Sequence, residues 1–309
     1  MVEQRAPVSR SEPPLGRPRP PRSRIVARRI VALVVLALGL SALVALAAIA
    51  VGSIRDGGTK KAPTVAAAPA PLRIIFPEGF TRAEMADRIE AVDAIARERR
   101  KISPRLSAKA YLKASASSKL PGRFARDGGR RPLEGFLFPA TYEFTATTTS
   151  KQLVARQLVS FDRNWRKVDL AYAKSRNLTP YDVLIIASMV EKEVIAPEER
   201  ALVAAVIYNR LHDGMKLQID ATTRYGLHVP ADEPLRESQL HSKNPYNTRE
   251  VPGLPPTPIA NPGLASIQAA AHPADVDYLF FVRKPDKIHH FFTASESEFE
   301  NYKNQHGYG

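Results

Sequence analysis

The segment from Ile30 to Ile54, IVALVVLALGLSALVALAAIAVGSI, constrains this chain more than any other, because its 25 consecutive residues carry no charge. At a rise of about 1.5 Å per residue, a helix of that length crosses roughly 30 Å of hydrocarbon with some tilt. A buried soluble helix and a cleaved signal peptide are the alternatives, but the run is longer than a typical signal-peptide core and follows a long tail. The expectation is a single N-terminal transmembrane helix. Arg22, Arg24, Arg28 and Arg29 crowd its leading edge, whereas Arg55 and Asp56 open the other side. Positive residues stay on the cytoplasmic side, so residues 1–29 are expected in the cytoplasm and everything beyond about residue 55 outside it.

That orientation decides how the charge is read. The chain carries 45 Lys and Arg against 31 Asp and Glu, a net +14, which fits either nucleic-acid binding or work beside an anionic surface. Eight Arg and two Glu fall within residues 1–29, a Pro- and Arg-rich tail expected to be disordered beside anionic headgroups. An extracytoplasmic domain meets lipid and wall polymer before it meets DNA or RNA, so no nucleic-acid partner is expected. The absence of cysteine excludes disulfides, thiolate metal sites and thiol nucleophiles.

After a linker at 55–71, local signals resume. LRIIF, beginning at Leu72, reads as a strand ended by Pro77, Glu78 and Gly79. Thr81 to Glu84 spells a capping box that opens a helix with Met85, Ile89 and Val92 on one face, and a second helix is expected over Ser107–Ala116. The loop-like stretch from Lys119 to Pro132 places a domain boundary near 130, giving a small module at 72–130 and a larger domain at 131–309. In the latter, LEGFLFPATYEF leads to a long amphipathic helix over about Thr149–Arg176, and Thr179, Pro180 and Asp182 start another. A further helix has Pro197, Glu198 and Glu199 in its first turn, Tyr278–Val282 and His289–Thr293 are β-prone, and a last helix begins near Ser295. The fold class is α+β with helices dominant.

Candidate chemistry concentrates where a helix segment apolar on every side, Val183–Val190, runs into Glu191, Lys192 and Glu193. A carboxyl beside such a surface loses solvation and holds its proton to higher pH, as a general acid must. The two glutamates are about 200° apart around a helix, so at most one faces a given pocket. Glu193 shares its stripe with Ile186, Met189 and Val190, and Glu191 with Leu184, Ala187 and Ser188; this favours Glu193 mildly, and two solvated acids at a helix end remain open. Downstream, Asn209, Gln218, Asp220, Thr222, Tyr225, Tyr246 and Asn247 offer the amides, hydroxyls and rings that a sugar-binding groove uses, or that ordinary turns use. Pro252–Gly263, with five prolines in 12 residues, must be an irregular loop. His272, His289 and His290 lack zincin spacing, and no GxSxG, Walker A or GxGxxG is present. No metal or cofactor is expected.

The ordered motifs PEGFT, LEGFLFPATYEF, ASMVEKEV, AAVIYNRLHDGMKLQIDATTRYG, NPYNT, GLPPTPIANPG, AAAHPADVDYLFFV and HHFFT together resemble the YceG-like (MltG-type) endolytic murein transglycosylases. The resemblance covers about residues 72–293. It implies a LysM-like module followed by a catalytic domain, and a lytic cut of the MurNAc-β-1,4-GlcNAc bond in peptidoglycan strands that leaves 1,6-anhydro-MurNAc ends. It also implies action on nascent strands as a terminator of elongation, and contact with peptidoglycan synthases. By the same resemblance the catalytic acid is Glu193; Glu191 is the fallback, and Gln218, Asp220, Thr222, Tyr225, Tyr246 and Asn247 are assigned to substrate binding. Thr257 stands where the family has glycine and Ala221 where it has proline, and the extra membrane-proximal region of longer members is missing. Thr257 and Ala221 are the support for a rival reading, a non-catalytic peptidoglycan-binding scaffold.

Overall fold

The computed structural model describes residues 71–116, 118–120, 124 and 130–308. The expected cytoplasmic tail, transmembrane helix and linker up to Ala70 lie outside the described residues. Among those described, no helix is long and apolar enough to cross a membrane.

Strand β1 (Leu72–Ile75) leads through the turn at Pro77–Gly79 into helix α1 (Arg82–Arg100). The capping box is made as the sequence dictates: Thr81 Oγ1 accepts the Glu84 N–H, and the Glu84 carboxylate accepts the Thr81 N–H at 2.6 Å. Helix α2 (Ala108–Ser115) is capped by Ser107 alone, whose Oγ accepts the Ala110 N–H. The expected loop after it carries a two-residue ladder, β2 (Ser118–Lys119) with β3 (Arg130–Arg131). Strand β4 (Thr141–Phe144) then returns antiparallel to β1, with Leu72 opposite Phe144. The strand, two helices and closing strand therefore make one β-α-α-β unit that ends at Phe144, past the expected boundary near 130. Its interior is Ile74, Phe76, Met85, Ile89, Tyr111, Tyr142 and Phe144, all buried.

Where the sequence reads one long helix over 149–176, the chain forms two, α3 (Ser150–Trp165) and α4 (Ala171–Ser175). The Asp169 carboxylate accepts the Ala171 N–H at 2.9 Å, which starts a new helix in place of continuing the old one. Trp165 turns inward to meet Phe161 and Phe124, and Phe161 meets Phe136, so an aromatic cluster holds the segment 133–137 in the core.

Helix α5 (Pro180–Glu193) is the central element. Thr179 and Asp182 form its capping box with Pro180 in the first turn, and every residue from Val183 to Val190 is buried. Burial of each large apolar side chain stabilises by about 1.5–3 kcal/mol, so this stretch is fixed on all sides and its charges emerge together at the C-terminal end. After a 3₁₀ turn at Pro197–Glu199 come α6 (Arg200–His212), α7 (Asp220–Leu227), α8 (Glu237–Leu240) and α9 (Leu264–Ala271); α6, α7 and α9 pack on α5. A hairpin of β5 (Phe280–Arg283) and β6 (His290–Thr293) and the terminal α10 (Glu296–His306) complete the fold.

The Pro-rich loop 252–263 is irregular, and much of it is buried. Its Ile259 N–H bonds Ser188 on α5 at 3.0 Å, and Asn261 bonds Leu137 and Phe80. The loop thus ties the turn before α1 and the 133–137 segment to the central helix. Gly135, at φ +87°, lets Pro258 approach to where a Cβ would lie 2.7 Å from it, which excludes any larger residue there.

Candidate active site

The end of α5 projects Glu193 into the junction of two adjoining cavities of about 420 and 970 Å³. Glu193, Asp220 and Arg283 line both. The smaller cavity runs towards Gln218, Phe280, Phe281 and α10. The larger lies between Thr81–Asp87 of the first unit on one wall and Arg224 and Tyr225 of α7 on the other. Glu193 is half-buried, and its pKa is pushed up to about 7. Burial is the main cause and Asp220 adds to it; Arg283, the Ala221 backbone N–H and Arg224 pull the other way. Such a carboxyl holds a proton near neutral pH and takes one back once a neighbouring group changes charge.

The hairpin presents Arg283. Its Nη2 donates to the Glu193 backbone carbonyl at 2.7 Å, closing the C-terminal end of α5 with a cation, where the helix dipole favours one. Behind it, the buried Glu199 carboxylate accepts the His290 backbone N–H at 2.9 Å and bonds the His290 ring at 2.7 Å. Burial holds the His290 pKa below its ordinary value, against the pull of Glu199. This pair pins β6 to the turn after α5, so the hairpin and Glu193 move as one.

Asp220 opens α7 and takes a 2.6 Å bond from Arg249 Nε. Gln218, in the left-handed region at φ 55°, reaches the smaller cavity while its Oε1 accepts from Arg210 Nη1. Arg210 is buried and also bonds the carbonyls of Leu279, Lys216 and Leu217, so it sets the backbone leading into Gln218. Tyr225 lines the larger cavity. The structure thus brings Glu193, Gln218, Asp220 and Tyr225 to one groove.

Three expected substrate contacts sit elsewhere. Thr222 and Asn247 are fully buried. The Thr222 hydroxyl donates to the Ile219 carbonyl at 2.6 Å, and the Asn247 amide donates to the carbonyls of Leu240 and Ser242 while accepting from Thr223. Their polar atoms are consumed by the fold, so neither lines the groove. Tyr246 also stands outside both cavities; its ring packs 5.1 Å from Tyr225, and its hydroxyl meets Thr257 Oγ1 at 2.7 Å. Asn209 bonds the carbonyls of Val276 and Tyr278 and is structural. Glu191 points away from Glu193: its carboxylate accepts the Gly263 N–H at 3.0 Å, and it faces Glu78, whose pKa is raised first by burial and then by Glu191. Among the described residues, no group of three or more His, Asp or Glu is gathered as a metal site requires.

Two groove residues escaped the sequence reading. Glu134, in LEGF, is 2% exposed and lines the larger cavity. The one local hint is an acid set inside the apolar run LEGFLF, which does not report the distant partners that hold it. Arg283 was missed as well, because nothing local distinguishes it from the lysines and aspartates around it.

The YceG-like family model matches residues 48–305. Over 155 residues, half of it, the chain is 37% identical to an endolytic murein transglycosylase of Bacillus subtilis (strain 168), covering 43% of that protein. Over 163 residues, again half, it is 38% identical to an endolytic murein transglycosylase of Streptococcus pneumoniae (strain ATCC BAA-255 / R6), covering 29% of it. The match thus spans less than half the length of either relative. A crystal structure of a YceG-like protein from Listeria monocytogenes superposes with a TM-score of 0.62 at 30% identity, covering 76% of each chain.

Proposed function

The chain belongs to the YceG-like family, and we propose from this and from the groove that it is an endolytic peptidoglycan lytic transglycosylase with Glu193 as its single acid and base. The observation that carries the reading is the position of Glu193: a half-buried carboxyl, with a pKa near 7, at the junction of two cavities. A groove that continues on both sides of the reacting group accepts a strand at an internal bond. Curated relatives named as endolytic murein transglycosylases support the substrate class.

Glu193 protonates the oxygen leaving from C1 of the muramoyl residue, and the glycosidic bond breaks as C1 gains oxocarbenium character. The resulting carboxylate then takes the proton of the muramoyl 6-hydroxyl, whose oxygen bonds to C1 and closes a 1,6-anhydro ring. The proton count balances without water, and one carboxyl serves twice. Ordinary glycosidases need a second carboxyl to activate water or to form a covalent intermediate; here the substrate's own hydroxyl fills that role. Arg283 stabilises the transient carboxylate, and Asp220, paired with Arg249, and Gln218 orient the sugars.

The same reading extends to the rest of the chain. Residues 72–144, as a β-α-α-β unit, serve as the LysM-like module, and their α1 forms one wall of the groove. The apolar run at 30–54 anchors the protein in the cell membrane with its N-terminus in the cytoplasm, beside nascent strands and the peptidoglycan synthases that extend them.

Mass spectrometry of purified glycan strands incubated with the full chain tests the proposal. Products with 1,6-anhydro ends are expected. Reducing ends would make the protein a hydrolase, and uncut strands that stay bound would make it a scaffold.

A further inference from the structure

Glu134 is a further carboxyl on the groove, and the acid-base reaction at Glu193 gives it no part. It stands in the larger cavity wall with three donors on its two oxygens: the Arg82 backbone N–H at 3.0 and 3.2 Å, Asn261 Nδ2 at 2.8 Å and the Tyr225 hydroxyl at 3.1 Å. Each donor belongs to a different part of the groove. Arg82 is the first residue of α1, Asn261 lies in the Pro-rich loop, and Tyr225 comes from α7.

No cation neutralises this group at contact distance among the described residues. The Arg82 guanidinium is turned aside, to Ser115 Oγ at 3.1 Å and the Leu112 carbonyl at 3.2 Å. A carboxyl this buried without an ion-pair partner is destabilising unless its hydrogen bonds are complete, and a neutral side chain could join the same backbone at lower cost. What the carboxylate does better is accept: it has no hydrogen to oppose three donors, and bonds to a charged acceptor hold their donors more firmly. Of the three, the Tyr225 hydroxyl is on a side chain that faces the groove. Its ring is backed by Tyr246, whose own hydroxyl is held by Thr257.

We propose that Glu134 is a positioning residue for glycan binding, holding the Tyr225 ring as a sugar-facing wall and locking it to the first turn of α1 across the groove. The inference rests on the transglycosylase reading for its ligand, a hexosamine strand whose ring faces pack on an aromatic side chain. The titratable and charged groups facing Glu134 are Arg82 from α1, Tyr111 from α2 and Tyr225 from α7. Burial raises its pKa to about 7 against the pull of the Arg82 N–H and the other donors. The ionised form holds the three donors most firmly, so binding tightens as pH rises through that value, whereas the acid step at Glu193 needs a proton and weakens over the same range.

Separating the two requires binding without cleavage, measured with fluorescent glycan strands on the full chain carrying Glu193→Gln. Binding is expected to tighten severalfold between pH 6 and pH 8. Adding Glu134→Gln should weaken it about tenfold at pH 8 and flatten the pH dependence. Tyr225→Phe should do nearly the same, and the two changes together should be no worse than the larger alone, because both break one bond. Additive losses, or a pH dependence that survives Glu134→Gln, would overturn the proposal. If Glu134→Gln does not fold, Tyr225→Phe carries the same test: the proposal stands if the pH dependence disappears and falls if it persists. Wild-type cleavage with additive losses sinks Glu134 alone, whereas neither cleavage nor binding sinks the transglycosylase reading and this inference with it.

Discussion

Two glutamates at the end of α5 stand two residues apart and have different surroundings. Glu191 is held by the N–H of Gly263 just before α9, with Glu78 opposite. Glu193 faces open space on two sides, with Arg283 as the strongest cation acting on its carboxyl. Intrinsic acidity is the same for both; what differs is whether the fold has already committed the oxygens. A carboxylate spent on a helix N-terminus stabilises the fold, and one left facing a cavity is available to a substrate. The helix geometry explains the separation, since residues two apart project to nearly opposite sides.

The largest effect that would sharpen this comparison comes from Glu193→Gln. Loss of a general acid that also serves as base should lower strand cleavage by at least about 10²- to 10⁴-fold in product assays. The fold should not suffer. A carboxyl whose folded pKa lies above its ordinary 4.5 favours the protonated form in the folded state, so its contribution to stability is greatest below 4.5 and declines as pH rises towards 7. Glutamine has no such decline. The variant should therefore melt at the same or a higher temperature than the wild type at pH 8, and a lower one would mean that the carboxylate is structural after all.

Glu191→Ala should give the opposite pattern, with a smaller effect. It removes the acceptor for Gly263 N–H at the start of α9 and should cost about 1–2 kcal/mol in denaturant unfolding, with part regained as Glu78 loses a like charge. Cleavage should stay within a few-fold of wild type. If Glu191→Ala abolished cleavage without loss of stability, the two glutamates would have exchanged roles.

The same contrast shows which features were readable in the sequence. The capping box at Thr81 and the helix starts at Thr149 and Thr179 are local chemistry, and each sits where its residues place it. The apolar run ending at Glu193 was readable because burial of a whole helix needs no knowledge of its neighbours. Thr222 and Asn247 were misplaced because a hydroxyl or amide looks the same in sequence whether it faces a sugar or a carbonyl; only burial separates the two. Glu134 gains its meaning from Arg82, Tyr225 and Asn261, which are 52, 91 and 127 residues away, and no local pattern reports such a meeting. The expected single helix over 149–176 failed for a small reason, the reach of one aspartate to one N–H.

The finest test concerns how the surroundings set the Glu193 pKa. Arg283 is the strongest influence lowering it, and the Ala221 N–H acts in the same direction. Arg283→Gln should therefore raise the pKa and move the alkaline limb of the cleavage profile to higher pH. Ala221→Pro is the subtler change. Ala221 lies in the first turn of α7, where proline is tolerated because the N–H there has no partner within the helix. The substitution removes the N–H that reaches Glu193 and restores the residue seen at this point in the YceG-like pattern. Its alkaline limb should move the same way as that of Arg283→Gln but less, with the maximal rate nearly unchanged. A shift to lower pH in either variant would show that these groups act on Glu193 through the backbone rather than through its charge.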